Sequence, residues 1–70
     1  MAHYRKSYRP PMPEKIREIR KKAGLLQREM AEKIGVDVRT YCRWELGEIL
    51  MPEPEYRLLL ALFPQHNVTQ

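Results

Sequence analysis

An all-α domain of four short helices is predicted by two features of this 70-residue chain. Apolar residues recur at spacings of three and four in four successive segments, the period of one buried helix face. Each segment then meets a residue that stops a helix, Gly24, Gly35 and Gly47 after the first three and Pro64 after the fourth. A chain of this size makes one small, compact domain that buries little apolar surface per residue. Association with a partner would help to stabilise it.

Residues 1–12 form a basic arm, expected to be flexible. From His3 to Pro13 there is no helical or strand period, and Pro10, Pro11 and Pro13 favour an extended chain. The first helix is expected from Pro13 or Glu14, where a proline and an early carboxylate suit the first turn. Ile16, Ile19 and Ala23 give its buried stripe, while Lys21 and Lys22 fall near its negative end. Lys15, Arg17 and Glu18 read as a solvated face.

Leu25 should enter the core from the linker. Leu26, with no side-chain acceptor, is a poor cap for the second helix, which is predicted from Gln27 with Met30, Ala31 and Ile34 on its buried face. Gly35 ends it, Val36 turns inward, and Asp37 is the N-cap of a third helix from Val38 to about Leu46. On a helical wheel Tyr41 and Trp44 share the core side. Arg39, Cys42, Arg43 and Leu46 share the other, so two arginines face outward together.

The fourth helix is expected to begin around Pro54 and to end at Phe63, with Tyr56, Leu59, Leu60 and Phe63 on one face. Leu58 and Leu62 lie off that face, and Ile49, Leu50 and Met51 add apolar side chains in the preceding loop. The domain thus runs from 13 to 63, leaving 64–70 as a tail.

Composition limits what such a domain does. No apolar run approaches a membrane span, no signal-peptide core follows the N-terminus, a single Cys makes no internal disulfide, and no glycine-rich phosphate loop is present. A cytoplasmic, nucleoid-associated protein is the expectation. No catalytic residue, metal site or cofactor is indicated, since His3 and His66 lie near the termini and the carboxylates take solvated or capping positions. The net charge is +4 and the pI about 9.5, which permits nucleic-acid binding without proving it. Its distribution is more informative. Residues 1–13 carry +3, residues 14–43 nine basic and five acidic side chains, and residues 44–55 four glutamates with no basic residue.

Gln27, Met30, Ala31, Ile34, Gly35, Val36, Tyr41, Trp44, Glu45 and Gly47 stand at the offsets of a helix-turn-helix motif spanning 27–46. In these ten residues the chain resembles the small phage-type repressors of the XRE or Cro-like family. The resemblance implies a lambda-repressor-like fold that binds double-stranded DNA with the second motif helix in the major groove. It also implies an ion pair between Arg20 and Glu45, and a Gln27 amide that either holds a backbone phosphate or supports a side chain of the recognition helix.

On that reading Val38, Arg39, Thr40 and Arg43 contact bases. Arginine donates two parallel hydrogen bonds to guanine O6 and N7, and Val38 suits a thymine methyl. Thr40 suits a base edge or a phosphate. Cys42 is a small contact or filler residue. Gln27, Arg28, Arg5, Lys6 and Arg9 are the candidate phosphate contacts, although the arm reads equally as a solubilising tail. The loop after Gly47 lacks the basic residues that relatives often place there.

The expected function is a DNA-binding transcriptional regulator, a repressor or autorepressor acting as a homodimer on an inverted repeat. Its dimer surface is expected to comprise Ile49, Leu50, Met51, Leu58 and Leu62, apolar side chains beyond what one core needs. The main alternative is a protein-interaction module, an antitoxin or adaptor, that uses helix 54–63 and binds DNA secondarily. RNA binding is a weaker rival.

Overall fold

The computed structural model describes residues 7–65. The helices are α1 (Pro13–Ala23), α2 (Gln27–Ile34), α3 (Val38–Leu46) and α4 (Glu53–Leu62), and the described residues contain no strand. α3 packs on both α1 and α2, and α4 lies against α2.

Local chemistry accounts for most of these boundaries. Pro13 opens α1 with Glu14 in its first turn, and Arg20, Lys21 and Lys22 sit in its last turn near the exposed carbonyls. Leucine has no acceptor, so Leu26 supplies only half of a capping box at α2: its N–H donates to Glu29 Oε1 at 2.8 Å. Asp37 does cap α3, its Oδ1 accepting from the Thr40 N–H at 2.8 Å. Between the two motif helices Gly35 takes φ 88°, a left-handed conformation without cost to glycine. Its N–H and that of Val36 both reach the Ala31 carbonyl, closing α2 and turning the chain toward α3.

The core is built from Ile16 and Ile19 of α1, Met30, Ala31 and Ile34 of α2, Tyr41 and Trp44 of α3, Met51, and Leu59 of α4. The Tyr41 and Trp44 rings meet edge to face, 6.0 Å between centroids and 76° between planes. Leu25, Val36, Tyr56, Leu60 and Phe63 pack around this centre. Ala23, expected in the buried stripe, is only half-buried at the last position of α1.

Three expectations need correction. α4 starts at Glu53 rather than Pro54, because the Pro52 carbonyl accepts the Tyr56 N–H at 3.1 Å and closes the first turn one residue earlier. It ends at Leu62, one residue before Phe63, whose φ −133° and ψ 78° lie outside the helical range ahead of Pro64. Met51, assigned to the dimer surface, is 1% exposed. It directly precedes the proline that caps α4, where the chain re-enters the domain, and its unbranched thioether fills the core there.

The arm is also less free than its composition suggests. Tyr8 donates its O–H to the Met51 carbonyl at 2.6 Å, and its ring lies 6.4 Å from that of Tyr56. Among the described residues the arm therefore has one anchored point before α1 begins.

Candidate DNA interface

One carboxylate of α3 ties it to the helices around it. Glu45 is 2% exposed and lies at the junction of α1, α2 and α3. Arg20 of α1 donates to both its oxygens, Nε to Oε2 at 2.7 Å and Nη2 to Oε1 at 3.1 Å. Gln27 of α2 donates Nε2 to Oε1 at 3.0 Å, and the Tyr41 hydroxyl donates to Oε2. Four donors thus serve the two oxygens. Such full satisfaction is what a buried charge needs.

Two further bonds extend this junction. Arg17 Nη1 donates to the Glu45 main-chain carbonyl at 2.6 Å, and Arg20 Nη1 to the Leu25 carbonyl at 3.1 Å. Burial pushes the Glu45 carboxyl up, but the bonds from Arg20, Tyr41 and Gln27 outweigh it and hold the group below its ordinary value. Burial pushes the Tyr41 phenol far up, so it remains a donor at any physiological pH. Its bonds to Glu45 push the Arg20 guanidinium up from its ordinary value.

With that side of α3 tied inward, its other side is open. Val38 is 44% exposed at the first position, Arg39 and Arg43 are exposed one turn apart, and Thr40 and Cys42 are half-buried. The four residues expected to contact bases thus lie on the first and second turns of one helix. Arg39, Cys42, Arg43, Leu46 and Glu48 line one shallow groove along it. Arg43 Nε donates to Glu48 Oε1 at 3.2 Å across this groove.

Residues 16–62 match the family model described as helix-turn-helix. The chain belongs to the XRE/Cro-like helix-turn-helix family. No curated protein matches it. Membership makes the protein a DNA-binding transcription regulator of the XRE type, from a regulatory rather than a catalytic family. Among the described residues no group of His, Cys, Asp and Glu is arranged to hold a metal ion, and no helix is long and apolar enough to cross a membrane.

The XRE-type motif separates the remaining candidates. Gln27 has its amide nitrogen committed to Glu45, so of its two expected roles the geometry displays the support of α3. Arg28 beside it is exposed, as is Arg9. Arg5 and Lys6 lie outside the described residues. Ile49, Leu50, Leu58 and Leu62 are exposed at 38%, 70%, 39% and 44%, an apolar surface from which buried Met51 is missing.

Arg17, Tyr8 and Arg43 are among the side chains whose contacts were not foreseen from the residues. Arg17 read as a solvated side chain, yet it stands three positions before Arg20, the spacing that puts two side chains on one helix face. That spacing was the available signal. The bonds from Tyr8 to Met51 and from Arg43 to Glu48 had no counterpart in periodicity.

Proposed function

We propose that the protein is a sequence-specific repressor that binds an inverted repeat in duplex DNA as a homodimer. The observation that carries this reading is the division of α3 into a tied side and an open side. Glu45, Tyr41 and Trp44 hold the helix on the domain, while Arg39 and Arg43 stand exposed on the other side, with Val38 exposed at its first position and Thr40 half-buried. Arg39 and Arg43, four residues apart, are spaced to meet bases a step or two apart, each able to take guanine O6 and N7. The basic side chains of the arm, α1 and α2 add attraction for phosphates.

A second copy of the chain is the partner that best suits the exposed surface. Leu58 and Leu62, one turn apart on α4, stand off the face that covers the core, and their apolar character is self-complementary, as an isologous interface requires. Pairing would set two α3 helices on successive major grooves, about 34–36 Å apart. A repressor that covers its own promoter needs nothing more than occupancy of such a site.

Selection of bound sequences from random duplex DNA tests the whole reading. An enriched palindrome is the expected result, with one position in each half-site relaxed by Arg39→Ala and another by Arg43→Ala. Recovery of no enriched sequence would sink specific recognition. An enriched half-site without its inverted mate would leave a monomeric reader. The exposed leucines of α4 also support a second reading, a module for another protein, which isolation of a stoichiometric heterologous complex with the α4 surface buried would favour.

A further inference from the structure

Glu48 is out of place for a DNA-binding surface. It lines the same shallow groove as Arg39 and Arg43, where a carboxylate repels the phosphates on either side. Its position is nevertheless built. Gly47 takes φ 78°, and the Glu48 N–H then donates to the Arg43 carbonyl at 3.0 Å in the closure of α3. The same two residues are joined again through their side chains, Arg43 Nε to Glu48 Oε1 at 3.2 Å. Main chain and side chain of Glu48 are both referred to Arg43.

Stability does not explain the arrangement. The two side chains are 51% and 53% exposed, and solvent-exposed pairs of this kind contribute little to folding. Geometry offers another account. A guanidinium is a planar fork, and a carboxylate at Nε occupies one edge of it. The end formed by Nη1 and Nη2 is then directed away from Glu48 and suits the O6 and N7 atoms of a guanine.

We propose that Glu48 is a positioning residue for specificity: it holds Arg43 by Nε so that its Nη1/Nη2 end reads one guanine, and it raises the cost of binding at unselected sequence. The rotamers of a free arginine are restricted before DNA arrives, so less ordering remains to be done at the correct base. At a wrong base the same restriction prevents Arg43 from swinging to a phosphate, and its Nη1/Nη2 end is left without an acceptor there. This proposal rests on the reading of α3 as a base reader.

The test uses the full chain and the duplex enriched by the wild type, with a second duplex altered at the position that Arg43→Ala relaxes, and a random duplex. Glu48→Ala is expected to lower the preference for the enriched over the altered duplex about five- to tenfold, while affinity for random duplex rises. In the Arg43→Ala background Glu48→Ala should leave that preference unchanged. Equal gains on all three duplexes would overturn the proposal, reducing Glu48 to a repulsive charge, and so would an undiminished effect without Arg43. If the wild type enriches no sequence, the base-reader reading fails first and takes this one with it, an outcome seen before any variant is made. Glu48 is exposed, so thermal melting of Glu48→Ala should match the wild type.

Discussion

Arg20 and Glu45, twenty-five positions apart in the chain, form a two-pronged ion pair at 2.7 and 3.1 Å that joins α1 to the last turn of α3. The side chains are 14% and 3% exposed, so neither charge is well served by water. The pair sets the direction of α3, and with it the side of the helix on which Arg39 and Arg43 stand.

Breaking that pair from the carboxylate side leaves a nearly buried guanidinium without its counter-charge. Glu45→Gln should therefore destabilise the domain by roughly 3 kcal/mol, near the lower end of what removal of one partner costs in a buried pair. Urea unfolding of Arg20→Met, Glu45→Gln and the double variant gives the coupling. A value on the order of 2 kcal/mol is expected, and no coupling would mean that the ion pair contributes nothing net.

Acid should weaken the same junction. Glu45 is held below its ordinary value of 4.5 in the folded domain, so the unfolded chain takes up a proton first as pH falls. Its contribution is complete above about pH 4.5 and is lost as pH drops through the folded value. Asp37, lowered by its bonds from Thr40, works in the same direction. The stability gap between wild type and Glu45→Gln should narrow between pH 6 and pH 3, and a gap of constant size would contradict the assignment.

Arg39 stands in the first turn of α3 and, among the described residues, has no ion pair comparable to that of Arg43 at the other end. Arg39→Ala should cost roughly 1–3 kcal/mol of affinity for the enriched duplex and relax preference at one base pair. Equal losses on enriched and random duplex would reassign it to the backbone.

Self-association through α4 is open to a charge test. Leu58→Glu with Leu62→Glu should shift the chain to a monomer in sedimentation and weaken binding to a full inverted repeat far more than to a half-site. Both residues are exposed in the single chain, so folding should survive. A wild type whose mass is that of a monomer at every concentration would remove the dimer.

The anchoring of Tyr8 divides the arm into parts that separate deletions can test. Removing residues 1–6 takes away Arg5 and Lys6 but keeps the Tyr8 bond to Met51. If those two side chains hold phosphates, the slope of log affinity against log salt should fall by about 0.9 for each phosphate that is no longer neutralised. An unchanged slope would leave Arg5 and Lys6 outside the interface. Tyr8→Phe, by contrast, should cost about 1 kcal/mol of stability by removing the hydrogen bond and leave the slope alone.

The four helices, and the limits of the first three, were legible in order along the chain because each depends on neighbours within a turn or two. Gly35 and Gly47 provide the left-handed residues that end α2 and α3, Asp37 the cap between them, and the apolar spacing the inward face of each helix. The ten motif residues added the family and the expectation that Arg20 meets Glu45. Contacts that depend on how helices cross were a different matter. Arg17 reaches a carbonyl 28 positions away and Tyr8 one 43 positions away, and no period relates such residues. Gln27 turned inward because the fourth bond to Glu45 exists only once three helices converge. Met51 was buried by the return of the chain into α4, and Glu48 met Arg43 only through the turn that ends α3. Local preference acts within a few residues, whereas burial and the pairing of charges are decided by whichever surfaces the folded helices bring together.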